Sequence, residues 1–263
     1  MWNRDFIAWR SHRICVSETG AGAPLLLVPG LGCSADVWAP FVEQIEGRRI
    51  VSLDAPGTGR SSTPLFPVSI RALAELVVAV LDDRKIASAD VIGFSYGGAV
   101  AQQLAFDAPE RVRRLVLAAT TCGVGALLGS PAAIAVLSTP LRFYSSSYFE
   151  RTAAAVYGGA TARDPAKRRD QLAPRFACPP TSYGYAMQLL GGASWSSWPF
   201  LADIPHETLV ISGDDDPLVP VANAEFLARR IPRARLEIVE RAGHLFLWDD
   251  PEHPAQRIAA FVA

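Results

Sequence analysis

The strongest constraint on the fold is a set of six short stretches dense in Val, Ile and Leu. They run from Leu25 to Pro29, Arg49 to Asp54, Asp90 to Phe94, Arg114 to Thr120, Thr208 to Gly213 and Arg235 to Glu240. Their apolar residues follow one another without the alternation of a strand that faces water on one side. Such runs imply strands covered on both faces, which is the environment of a parallel sheet with helices on each side. Helix-like segments do lie between them, for example Ile70 to Leu81 and Gly97 to Phe106, the second ended by Pro109. The pattern predicts an α/β architecture.

A chain of 263 residues, half of them hydrophobic and 19% charged, has the length and core material for one large domain. Mean hydropathy is +0.18, yet the most apolar stretches, Leu76 to Leu81 and Ala132 to Leu137, are far shorter than the ~18–20 residues of a spanning helix. No membrane span is expected. The opening residues, MWNRDFIAWRSHR, carry charges throughout and no apolar core, so they do not read as a secretory signal. Cys15, Cys33, Cys122 and Cys178 are widely spaced, which suits reduced thiols in a cytoplasmic protein. A net charge of −1 without a basic stripe gives no reason to expect nucleic acid. The four histidines are scattered, with no HExxH, so neither a metal nor a cofactor is expected.

The strand–helix alternation stops between about Gly123 and Pro205. That stretch lacks buried-strand runs and collects aromatics, among them Tyr144, Phe149, Tyr157, Tyr185, Trp195 and Trp198. We read residues 1–122 and 206–263 as the core, and residues 123–205 as a mostly helical insertion. It is either a set of peripheral helices whose aromatics pack the core or a lid over an apolar pocket.

The chemistry is carried first by Gly93-Phe94-Ser95-Tyr96-Gly97, which follows the strand Asp90-Val91-Ile92 and precedes an apolar helix. G-x-S-x-G at a strand-to-helix junction is a nucleophile elbow. Small neighbours let strand and helix approach while the serine hydroxyl stands exposed at the carboxyl end of the sheet. Alone, the motif also fits a glycine-rich turn. A serine nucleophile needs a base and an orienting acid, in the order Ser, Asp or Glu, His. His244, in Ala242-Gly243-His244-Leu245, follows the last apolar run, and Gly213-Asp214-Asp215-Asp216-Pro217 follows the one before it. Asp216, past the turn and just before proline, is the candidate orienting acid, whereas Asp214 and Asp215 fit turn-forming or solvated roles. The oxyanion hole is expected from two backbone N–H groups, those of Tyr96 and of Leu31 in Val28-Pro29-Gly30-Leu31-Gly32.

The same early loop permits a rival. Gly30-Leu31-Gly32-Cys33-Ser34-Ala35 matches G-x-G-x-x-A, and Asp54 ends the next apolar run, as a ribose-binding acid would. Pro40 lies early in the helix such a motif should open, and the Ser95, Asp216 and His244 set would then have no role. Asp54-Ala55-Pro56-Gly57-Thr58-Gly59 is better read as a structural turn beside the pocket.

With these residues in place the chain resembles the α/β-hydrolase superfamily from Leu25 onward. Within it the chain is similar to the intracellular polyhydroxyalkanoate depolymerases of medium-chain-length polyesters. That narrower likeness is carried by Ser61-Ser62-Thr63-Pro64, Gly98 to Gln103, Pro109-Glu110-Arg111, Tyr157-Gly158-Gly159, Gly213 to Pro220 and Gly243 to Leu247. The resemblance implies an α/β-hydrolase fold with an inserted helical cap, and a serine hydrolase acting on hydroxyacyl oligo- or polyesters, with a polyester granule surface as an implied partner. The other activities compatible with the same residues are small-molecule esterase, enol-lactonase, thioesterase and perhydrolase. A reading of a different class is a ligand-binding protein on a hydrolase scaffold.

Overall fold

The computed structural model describes residues 2–263. Eight strands form one sheet in the order β1-β2-β4-β3-β5-β6-β7-β8. They are β1 (Asn3–Trp9), β2 (His12–Gly20), β3 (Ala23–Val28), β4 (Arg48–Leu53), β5 (Ala89–Phe94), β6 (Val112–Ala118), β7 (Thr208–Gly213) and β8 (Ala234–Val239). The strands from β4 to β8 are parallel to one another, whereas β2 pairs antiparallel with both β1 and β4. The fold is an α/β-hydrolase fold, with a mostly parallel sheet flanked by helices.

The β1–β2 hairpin has no counterpart in the six apolar runs. It lies at the sheet edge and keeps one face near water, so its sequence mixes charged and apolar residues. β8, at the other edge, alternates half-buried and exposed positions, so Arg235 to Glu240 is not a strand buried on both faces. Leu236 and Ile238 remain exposed there.

Helices cover both faces. The short α1 (Ala39–Val42) precedes β4, and α2 (Ile70–Asp83) and α3 (Tyr96–Asp107) flank β5. Ser69 caps α2 by accepting from the Ala72 N–H at 3.2 Å. Leu73, Leu76, Val77, Val80 and Leu81 then recur at helical spacing and are buried with Leu26, Val91 and Leu115 on one face of the sheet. α3 is buried nearly all round, because it lies between the sheet and α2. On the opposite face Leu25, Leu27, Ile92, Val116 and Ile211 form a second core. α10 (Val221–Arg230), α11 (Phe246–Asp249) and α12 (Glu252–Val262) complete the layers.

Between β6 and β7 the chain forms α4 (Pro131–Leu137), α5 (Ser146–Tyr157), α6 (Gly159–Arg163), α7 (Pro165–Asp170), α8 (Leu172–Ala177) and α9 (Ser182–Gly192). The two ends of this segment are joined at its base. Val124 N–H donates to Trp195 O at 2.8 Å, Ser197 N–H to Cys122 O at 2.9 Å, and Gly123 pairs with Ser196. Among the described residues no helix is long and apolar enough to cross a membrane.

Helix and sheet approach closely where α3 crosses β3. A Cβ on Gly97 would overlap the Val28 carbonyl, and one on Gly93 would lie 2.6 Å from the Ala101 Cβ. Backbone cannot recede there without parting helix from sheet. Gly97→Ala is therefore expected to destabilise the fold by about 3 kcal/mol or more, seen as a melting temperature lower by roughly 6–12 °C. A melting temperature within about 2 °C of the parent would contradict this packing.

Candidate functional site

Ser95 joins β5 to α3 with φ +53° and ψ −119°, a backbone conformation that costs a non-glycine residue on the order of 1–3 kcal/mol. The surroundings hold it there. Its N–H donates to Ala118 O at 2.9 Å, and its carbonyl accepts from Gly98 N–H at 2.8 Å and from the Thr120 hydroxyl at 2.7 Å. Strain at this residue lifts the side chain out of the helix and aims it off the carboxyl end of the sheet.

His244 lies on the loop after β8, and its Nε2 is 3.1 Å from Ser95 Oγ. Its Nδ1 is 2.7 Å from Asp216 Oδ2. A carboxylate only accepts, so the proton on that side belongs to Nδ1, which leaves Nε2 free to accept from the serine hydroxyl. Asp216 stands on the loop after β7, and its other oxygen accepts the N–H groups of Leu218 and Val219, both at 2.9 Å. Those two bonds fix the carboxylate's rotation. The Asp216 side chain is 0% exposed and that of His244 3% exposed, so bulk water does not compete for the pair. The three residues predicted from the sequence are thus brought together, each from the carboxyl end of a different strand.

The other two aspartates of the turn differ from each other. Asp214 is exposed. Asp215 reaches into the helical segment, accepting from Gly159 N–H at 3.0 Å and from Arg163 at 2.9 Å. Tyr157-Gly158-Gly159 passes between this turn and the histidine loop, and the Tyr157 carbonyl accepts the His244 N–H at 2.7 Å. Gly158 has φ +59° and ψ −155°, and a Cβ on it would overlap the Asp215 carbonyl. Gly158→Ala is expected to push the histidine loop off register and to lower kcat for any reaction that uses His244 by roughly tenfold or more, since ~1 Å of misplacement can cost about 10². An unchanged kcat in steady-state assays would sink that prediction.

Leu31 N–H and Tyr96 N–H, the expected oxyanion donors, flank Ser95. Tyr96 opens α3 and follows the serine directly. Gly30 brings the Leu31 loop against the elbow, because a Cβ there would stand 3.5 Å from Ser95 Cβ. Among the described residues neither N–H has a protein acceptor. A partner that sequence reasoning did not single out, Gln188 on α9, holds this loop: its Oε1 accepts Gly32 N–H at 2.9 Å, while its carbonyl accepts from Tyr96 Oη at 3.1 Å. Nothing local in the sequence marks Gln188, since its role depends on where α9 docks.

Asp54 is fully buried, and its two oxygens accept the N–H groups of Ala35 and Arg60, each at 2.8 Å. Burial pushes its pKa up while those two bonds pull it down. The carboxylate is committed to the turn, so it is not placed to bind a ribose. Tyr96 and Cys33, beside Ser95, are likewise shifted up by burial.

Two spaces meet at the site. One, of about 30 Å³, is bounded by Gly30, Leu31, Ser95, Leu218 and His244 together with Arg142 and Arg175. A second, of about 240 Å³, is bounded mainly by apolar groups including Val37, Pro40, Phe94, Leu245 and Trp248. Cys33, Phe94, Arg175 and Leu245 border both. The inserted segment therefore brings two of its arginines to the site. A single arginine among apolar residues gives no local sign of where its head will be buried.

Such an arrangement can transfer a proton from a hydroxyl to an imidazole held by a carboxylate, with backbone donors nearby. Comparison with known proteins gives the family of the chain. A model of the Alpha/beta hydrolase family matches residues 25–261. A poly(3-hydroxyalkanoate) depolymerase of Ectopseudomonas oleovorans is 40% identical over 91% of this chain and 84% of its own length. A 2-hydroxymuconate semialdehyde hydrolase of Pseudomonas sp. (strain CF600) is 31% identical over 98% and 92%. In three dimensions a hydrolase from Pseudomonas aeruginosa PA01 superposes with a TM-score of 0.82 at 26% identity, covering 99% of this chain and 98% of that one. The chain belongs to the alpha/beta hydrolase family and is similar to poly(3-hydroxyalkanoate) depolymerases.

Proposed function

We propose that the protein is a serine hydrolase of carboxylic esters, working through an acyl-enzyme on hydroxyacyl oligo- or polyesters. The observation that carries the reading is the Asp216–His244–Ser95 chain of contacts at 2.7 and 3.1 Å. His244 Nε2 takes the hydroxyl proton as Ser95 Oγ attacks the ester carbonyl. Asp216 stabilises the imidazolium that results, and Leu31 and Tyr96 N–H groups receive the oxyanion. The imidazolium then protonates the leaving alkoxide. Water, activated by the same histidine, releases the acid from Ser95.

The substrate class is supported by the 40% identity to a poly(3-hydroxyalkanoate) depolymerase and by the 240 Å³ space behind Phe94, whose lining is mainly apolar though it includes Lys167, Asp170, Gln171 and Arg175, and which suits a hydrocarbon side chain. Residues 123–205 serve as the cap over that space, anchored by Asp215 and Gln188. The four free cysteines suit the reducing cytoplasm.

The test has two parts. A fluorophosphonate is expected to label Ser95 stoichiometrically, located by peptide mass spectrometry; absence of labelling would favour the ligand-binding alternative. A 3-hydroxyalkanoate oligomer and simple nitrophenyl esters are then compared as substrates. Turnover of both is expected, and turnover confined to the nitrophenyl esters would withdraw the polyester assignment.

A further inference from the structure

Arg142 and Arg175 are the least expected groups at this site. They are 3% and 8% exposed, and both border the small space that holds Ser95 and His244. Guanidinium stays charged in proteins, and burying it without a partner is costly. Yet among the described residues neither arginine has a carboxylate within ion-pair distance. Arg142 donates to Thr139 O at 3.1 Å and to the Tyr185 hydroxyl at 2.7 Å, and its Nε has no acceptor. Arg175 Nε is also buried without an acceptor.

What surrounds the two charges is aromatic. The Arg142 guanidinium lies 4.6 Å from the Phe143 ring centre and 5.1 Å from that of Tyr185. Arg175 lies 5.3, 5.0 and 5.2 Å from the rings of Phe143, Phe149 and Tyr157. Ring faces offset part of the desolvation but supply no counter-charge. Both cations pack on Phe143, so they also repel each other. The ionisable neighbours do not neutralise them. Burial pushes the Tyr185 phenol up to about 12, and it pushes the Cys33 thiol up as well, against the pull of both arginines. Asp216 is held by His244 and two backbone N–H groups, and Asp170, on the larger space, pairs with neither arginine.

We propose that Arg142 and Arg175 form a carboxylate-binding subsite next to Ser95, so that the preferred substrate is a hydroxyacyl ester whose leaving unit ends in a free carboxylate. The proposal rests on the ester-hydrolase reading above and deepens it. In a chain of hydroxyacyl units the acyl side ends in a neutral hydroxyl, and the free carboxylate always belongs to the unit on the alcohol side. A cationic pocket beside the nucleophile therefore takes the leaving unit. Ser95 Oγ bonds to the penultimate unit's carbonyl carbon, and the C–O bond to the terminal unit breaks. His244 passes its proton to that oxygen, and a free hydroxy acid departs held by the arginines; water then hydrolyses the acyl-enzyme. Anchoring the carboxylate a fixed few bonds from the scissile carbonyl confines cleavage to the last ester of the chain.

The experiment compares kcat/KM of the protein on a 3-hydroxyalkanoate dimer with a free carboxyl end and on the same dimer as its methyl ester. A preference for the acid of about tenfold or more is expected, the scale of one charge-assisted hydrogen bond. In Arg175→Met and Arg142→Met the ratio of the two rates is expected to fall to about 1, with melting temperatures recorded beside it. Equal rates on acid and methyl ester in the parent overturn the proposal, because the arginines are then cap-packing groups only. A ratio that survives in both folded variants overturns it too. If neither dimer is cleaved, the polyester reading fails separately, and the subsite is read by inhibition of nitrophenyl butyrate hydrolysis with the 3-hydroxyoctanoate anion. Competitive inhibition weakened about tenfold in Arg175→Met supports the subsite. No inhibition by the anion overturns it.

Discussion

Ser95→Ala is expected to lower kcat/KM for an ester by about 10⁴-fold or more, because the covalent step disappears and only binding and the backbone donors remain. The substitution removes one oxygen that stands 3.1 Å from His244 Nε2. The backbone of residue 95 is held by Ala118, Gly98 and Thr120 rather than by the hydroxyl, so the elbow should keep its shape. Stability is expected to change little, and a thermal melt beside the parent checks that the loss is chemical. Fluorophosphonate labelling should vanish with activity. If Ser95→Ala kept more than about a tenth of the parent rate, the nucleophile would have to be sought elsewhere.

Asp216→Asn should cost nearly as much, and the structure says why so conservative a change is severe. Oδ1 of residue 216 accepts the N–H groups of both Leu218 and Val219, so an asparagine must keep its oxygen there. Its amide nitrogen then faces His244 Nδ1, where Asp216 Oδ2 now stands at 2.7 Å. A donor in that position requires Nδ1 to be the acceptor and Nε2 to carry the proton. Nε2 can then no longer accept from Ser95. We expect kcat to fall by about 10⁴, the scale of a wrong imidazole tautomer in a serine triad, with KM and melting temperature little altered. A fall of less than about tenfold would mean that the imidazole is oriented by something other than Asp216.

These two expectations draw on unequal sources. Ser95 was visible in the sequence because a strained turn between strand and helix demands small residues at 93 and 97, and that demand is local. His244 and Asp216 were visible because each follows an apolar run, and parallel strands bring their carboxyl ends to one edge. The choice of Asp216 over Asp215 followed from its place before Pro217, and the structure adds that Asp215 is spent on Gly159 and Arg163. The edge strands were harder to see. β1 carries no continuous apolar run and β8 is not covered on both faces, since an edge strand needs only one covered face.

The parallel core, the elbow and the order of serine, aspartate and histidine are legible along the chain. All three are set by residues that are neighbours along the chain or by the period of apolar positions. What faces the nucleophile is set by long-range packing. Gln188 and Thr120 hold the loops beside Ser95, and Arg142 and Arg175 are buried among four aromatic rings, unlike the other charged residues of the same segment, which the sequence does not distinguish from them. Where a long side chain ends depends on how the helix carrying it docks against distant parts of the chain. No local pattern records that docking.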